Sequence, residues 1–122
     1  VKRIYFDVHS IRLLNSETRQ NLTDKNMVAP EETEGEVVNI GLFRHYIETY
    51  LRKRDDVSKS ATLLVRQLEA TQSGVPIELY FFIGTTDWVS YEQKTSDILE
   101  HIYAYANEFG LQIYEGLPVA NT

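Results

Sequence analysis

Residues 62–83, TLLVRQLEATQSGVPIELYFFI, decide how the rest of the chain has to fold. Two runs rich in Leu, Val, Ile, Tyr and Phe, residues 62–70 and 76–83, are separated by Thr71, Ser73 and Gly74. The segment therefore reads as a β-hairpin with a loop longer than two residues. In the second run Ile77, Leu79, Phe81 and Ile83 fall on one face and Glu78, Tyr80 and Phe82 on the other, the two-residue period of a strand. The first face is wholly apolar and requires a cover. The second is half polar, and in one phase of the partner strand Leu64 and Leu68 join Tyr80 and Phe82 there. Partial burial of that face is expected too.

Around this hairpin, 122 residues with 43% hydrophobic and 11% aromatic content supply one compact core, so residues 1–122 are expected to form a single domain. The net charge of −6 draws on Glu31, Glu32, Glu34 and Glu36, read as a solvated loop, and leaves no basic field suited to nucleic acid. Zero cysteines exclude disulfides, thiolate nucleophiles and cysteine-ligated metals. No stretch approaches the ~20 apolar residues of a membrane span. The opening Val1-Lys2-Arg3, without Met or signal peptide, reads as the start of a soluble piece excised from a longer protein.

Residues 2–9 alternate, with Ile4, Phe6 and Val8 opposite Arg3, Tyr5, Asp7 and His9, which predicts a first strand whose end or bulge lies near Ser10. Residues 15–38 show no sustained period beyond a turn or two of helix at 16–22, so this stretch reads as an insertion or mobile connector. Asn39 is the expected N-cap of a helix over 40–54, with Ile40, Phe43, Ile47, Tyr50 and Leu51 as its buried stripe. After the hairpin, Asp87 caps a second helix carrying Tyr91, Thr95, Ile98, Leu99, Ile102, Tyr105, Ala106 and Phe109 on one side, ended by Gly110. Residues 111–115 form a last short strand, stopped by Gly116, Leu117 and Pro118.

The order β-α-β-β-α-β is that of an α+β, ferredoxin-like split βαβ domain, a four-stranded antiparallel sheet with two helices on one face. Its other face is left bare. Tyr5, Tyr80, Phe82 and Tyr114 are the candidates for that face, and aromatic residues there make a patch suited to contact with another subunit or domain. Trp88 is expected to plug the core or an intramolecular contact.

Catalytic chemistry finds little support. His9, His45 and His101 lie on different elements without metal-ligand spacing, and Asp87, Asp97, Glu100 and Glu108 form no evident acid/base pair. Neither a nucleophile elbow nor a P-loop is present. Gly84-Thr85-Thr86 before a helix reads as a turn. A non-enzymatic protein with no cofactor and no metal is expected.

The segments NIGLFRHYIETYLRKR at 39–54, TLLVRQLEATQSGVPIELYFFIGTTDWVSYE at 62–92 and SDILEHIYAYANEFGLQIYEG at 96–116 carry a further signal. Together they resemble the C-terminal cytoplasmic region of the small-conductance mechanosensitive channel family, its miniconductance-type branch above all. The run LVRQLE, then G-x-P-x-E-x-Y-x-F, then T-x-W-x-x-Y-E carries the resemblance. VKRIYFDVHSIRLL at 1–14 looks like the strand entering this domain from an upstream β-domain.

The resemblance implies a membrane channel that opens when bilayer tension rises on hypoosmotic shock, releasing ions and small solutes. The parent would sit in the bacterial inner membrane. This domain would lie on the cytoplasmic side, walling a vestibule in a homo-oligomer that is usually heptameric and contacting its own neighbouring subunits and the upstream β-domain. The alternative is a ferredoxin-like small-molecule-sensing regulatory module, distinguished by a saturable ligand. A third reading, an assembly domain that sets stoichiometry, is compatible with the channel.

Overall fold

A computed structural model describes residues 1–115, so the expected stop at Gly116, Leu117 and Pro118 lies outside the described residues. Strands β1 (Lys2–Phe6), β2 (Leu64–Gln67) and β3 (Val75–Tyr80) form an antiparallel sheet in the order β1-β3-β2. Helices α1 (Ser16–Asp24), α2 (Asn39–Lys53) and α3 (Trp88–Ala106) complete an α+β fold.

The central strand is the apolar one, as its pattern requires. On its inner side Val75, Ile77 and Leu79 are buried, joined by Ile4 and Phe6 of β1 and Val65 of β2. Phe43, Ile47 and Leu51 of α2 and Ile98, Ile102 and Ala106 of α3 belong to the same core. The Phe43 ring fixes the layer, meeting Phe6 edge-on at 5.9 Å and Phe109 at 4.8 Å, spacings at which aromatic pairs attract beyond their burial.

The hairpin loop closes where Thr71 and Gly74 exchange backbone hydrogen bonds, at 2.8 and 3.1 Å. Gly74 is required there. Its φ is +94°, and a Cβ at this position would lie 2.5 Å from the Phe6 carbonyl oxygen. β3 starts one residue earlier than the pattern suggests and stops at Tyr80, because β2 begins opposite it at Leu64. Phe81 and Phe82 leave the ladder, and Ile83 keeps only a single bridge to Val57.

The expected fourth strand is reduced to one bridge, between Ile113 and Phe6. The Asp7 N–H donates to the Gln112 carbonyl and the Tyr114 N–H to the Tyr5 carbonyl, both at 2.8 Å. The ladder stays short because β1 ends at Phe6 rather than near Ser10. The Asp7 carboxylate accepts from the His9 N–H and starts a 3-10 turn over Val8–Ser10. The sheet is therefore three-stranded, not four-stranded.

The stretch 15–38 is regular where a mobile connector was expected. The Asn15 carboxamide oxygen caps α1 by accepting from the Thr18 N–H at 2.8 Å, and Leu22 anchors the helix in the core. Val28 adds a second anchor, and the Glu32 carboxylate accepts from the Ala29 N–H to start a second 3-10 turn, Pro30–Thr33. Two apolar anchors this far apart give the periodicity too little to register.

Asn39 is not the N-cap of α2. It is the first helical residue, after Val38, and its carboxamide is buried. The side-chain oxygen accepts from the Arg12 N–H at 3.0 Å, while the NH2 donates to the Ser10 carbonyl at 2.9 Å and the Phe109 carbonyl at 3.0 Å. It ties three chain segments together, which a local capping rule does not anticipate. Asp87 does cap α3, accepting from the Ser90 N–H and hydroxyl. Beside it Trp88 is 72% exposed, so it plugs no core. A helix of 19 residues that buries only one stripe leaves its first turn in solvent.

Candidate functional site

The sheet has a second face, and the register assembles it row by row. Arg3 of β1 and Arg66 of β2 both stand opposite Glu78 of β3. Tyr5 stands opposite Pro76, and Leu64 opposite Tyr80. Because side chains alternate along strands, these are the residues left over when the core has taken its share.

The centre of the face is an ion triad. Arg3 Nε donates to Glu78 Oε2 at 2.9 Å, and Arg66 Nε donates to Glu78 Oε1 at 2.8 Å. The Glu78 side chain is 7% exposed, whereas Arg3 and Arg66 are each about half exposed. The carboxylate is thus covered by the guanidiniums themselves. Hydrogen bonds from Arg66 and then Arg3 hold its pKa below the usual carboxylate value, and the bond to Glu78 raises that of Arg3. One anion between two cations leaves a net positive charge at the middle of the face, on a chain of net charge −6.

Aromatic and aliphatic groups flank the triad. Tyr80 and Phe82 meet edge to face at 5.3 Å and 89°. Phe82 is 46% and Leu64 44% exposed. Tyr114 sits across from Tyr5 through its 2.8 Å backbone bond, on the far edge of β1. The structure thus puts Tyr5 and Tyr80 on one sheet face, Phe82 against Tyr80, and Tyr114 beside Tyr5. The triad was missed by sequence reasoning. Its only signal is that Arg3, Arg66 and Glu78 each share a parity with the non-core residues of their strands, and pairing them requires the register.

A second concentration of aromatic rings lies on the outer side of α2 and α3. The His101 ring stacks on Tyr50 at 3.8 Å and 6°, and its Nε2 is 2.8 Å from the Tyr46 hydroxyl. Burial pushes the Tyr46 phenol up to about 12, and burial, followed by the nearby Arg54 charge, lowers the His101 pKa. Both shifts favour the neutral phenol and the neutral imidazole, whose tautomer sets the direction of the bond. Arg54 in turn donates to the Tyr50 hydroxyl at 2.9 Å and clamps both Asp56 oxygens at 2.8 and 2.6 Å.

The other histidines stand apart from this cluster. His9 lies 3.1 Å from Asp7 and His45 3.3 Å from Glu32. Among the described residues, no group of three or more His, Cys, Asp or Glu is arranged to hold a metal ion. Of the acidic cluster, Glu31, Glu34 and Glu36 are exposed while Glu32 is occupied by its turn. No helix among the described residues is long and apolar enough to cross a membrane. No family model matches the chain.

Proposed function

We propose that this chain is the cytoplasmic vestibule and assembly domain of a tension-gated mechanosensitive channel, one that releases ions and small solutes on hypoosmotic shock. The observation that carries the reading is the uncovered sheet face, with aromatic and aliphatic rows around an Arg3–Glu78–Arg66 triad whose carboxylate is shielded while both guanidiniums reach solvent. A face of this kind suits a contact made by a neighbouring subunit or by the upstream β-domain, since apolar rows supply burial and the triad supplies orientation. The motif resemblance across residues 39–116 supports the same assignment and brings with it the homo-oligomeric, usually heptameric, ring in the bacterial inner membrane. The exposed Glu31, Glu34 and Glu36 would line the approach to the pore and bias which ions collect there, because charges on the wall of a confined space shift local ion concentrations.

The test is patch-clamp recording of the full-length parent in a bacterial strain stripped of its own mechanosensitive channels, with and without residues 1–122. Tension-gated current that is lost or altered on deletion is the expected result. A well-expressed, membrane-inserted parent that passes no tension-gated current would overturn the reading. The second reading, a small-molecule-sensing module, draws on one observation, a cleft of about 510 Å³ beside α2.

A further inference from the structure

The channel reading makes no use of that cleft. One wall is the outer face of α2, where Tyr46, Thr49, Tyr50 and Lys53 recur at one-turn spacing, and the opposite wall is Lys25, Asn26 and Met27. Tyr105 and Glu108 close the end. A neighbouring hollow of about 330 Å³ shares Asn26, Met27, Tyr46, Thr49 and Lys53, so the two form one groove along α2. Its size falls within the range of small-molecule sites, about 300–1,000 Å³.

Charge, shape and backbone narrow the occupant. Glu108 neutralises Lys25 at 2.5 Å and is held by the Asn21 carboxamide at 2.9 Å. Lys53 makes no ion pair among the described residues, so the cleft proper carries one uncompensated cation, while Glu32 lines the neighbouring hollow. The Tyr105 ring is braced against His101 at 4.4 Å and Tyr46 at 6.4 Å, yet stays 38% exposed. A flat ring stacked there would cover it. Asn26 is the one non-glycine residue with positive φ among those described, at 56°, and it lines the cleft. Its left-handed backbone closes the C-terminal end of α1, where the Met27 N–H donates to the Leu22 carbonyl at 3.0 Å, and it sets the turn that carries this wall of the cleft.

We propose that this cleft binds a small anion built on a flat aromatic ring, with the ring against Tyr105 and the phosphate or carboxylate at Lys53. The inference is independent of the channel reading, since it concerns the chain itself and is read without any current.

The test is a titration of the 122-residue chain with adenosine monophosphate, benzoate, adenosine and inorganic phosphate, followed by amide chemical shifts and calorimetry. Saturable shifts at Asn26, Lys53 and Tyr105 with one of the two ring-bearing anions are expected, with adenosine and phosphate alone binding at least tenfold more weakly. Lys53→Gln and Tyr105→Ala, both at exposed positions, should each weaken binding about tenfold while thermal melting stays near that of the parent chain, with tenfold corresponding to about 1.4 kcal/mol. Whether the anionic group is a phosphate or a carboxylate is told by which of adenosine monophosphate and benzoate saturates. Absence of saturation at millimolar concentration, or binding that survives both substitutions, would overturn the proposal.

Discussion

The two faces of the sheet draw alternately on the fifteen residues of its three strands, yet they follow different rules. The inner face is apolar except at its rim, with Ile4, Phe6, Val65, Val75, Ile77 and Leu79 all buried and Lys2 and Gln67 its polar members. The outer face mixes Tyr5, Tyr80 and Leu64 with three charges that satisfy one another. Covering by the chain's own helices demands only apolar volume, so the inner face tolerates any well-packed set. An uncovered face has to stay compatible with water while remaining able to dock, and a satisfied triad inside an aromatic frame meets both demands.

The comparison is broken most directly by truncating the inner face. Ile77→Ala should cost about 2–5 kcal/mol, the usual range for a buried aliphatic truncation, read by urea denaturation of the 122-residue chain. A loss near zero would mean that the inner face does not carry the fold. Gly74→Ala should cost more than about 1 kcal/mol, because alanine at φ +94° also meets the Phe6 carbonyl. If it proved neutral, the turn would not be pinned against β1.

Opposite in sign, Thr95→Val on the buried side of α3 should stabilise by about 1 kcal/mol. The Thr95 hydroxyl is buried without a hydrogen-bond partner among the described residues, and its removal recovers a desolvation cost. Thermal melting would show the shift, and destabilisation would reveal a hidden partner.

The outer face should respond to pH more than to truncation. Glu78 has a folded pKa below its ordinary 4.5, so it favours the folded state above that value. The contribution is lost as pH falls from 4.5 through the lowered folded value, since there the unfolded chain binds the extra proton. Glu78→Gln should flatten this part of the stability profile, an effect held small by the solvent around both guanidiniums. Smallest of all, Leu64→Thr should change the stability of the chain by within about 0.5 kcal/mol. The same substitution in the assembled parent should weaken subunit association, measured by cross-linking, and unchanged association would remove Leu64 from the proposed contact.

The contrast between the faces also marks how far the sequence could be read. Strict alternation in β3 made the hairpin and its apolar face legible, and the same period picked out Tyr5, Tyr80 and Phe82 as residues facing away from the core. The triad was not legible, because opposite charges 12 and 75 positions apart in numbering meet only once the register is known. Asn39 misled for a related reason. Its local pattern is that of a cap, but the Arg12 N–H takes the side-chain oxygen that a cap would offer to the helix, and the Ser10 and Phe109 carbonyls take its NH2. Trp88 reads as a plug of the core or of an intramolecular contact, whereas its place beside a capping aspartate in the first turn leaves it exposed. The length of the last strand depends on where β1 turns away, a property of Asp7 rather than of residues 111–115.

That abbreviated pairing at the β1 edge gives the molecule a mechanical grain. The bonds from Asp7 to Gln112 and from Tyr114 to Tyr5 join antiparallel segments, so a pull that separates Val1 from Glu115 loads them one after the other, like the teeth of a zip. The long β1–β3 ladder lies behind them and would feel the load only afterwards. Under force the domain therefore has a built-in first step, in which the two backbone bonds of residues 112–114 part before the β1–β3 ladder and the buried Leu111 side chain holds the peeling segment.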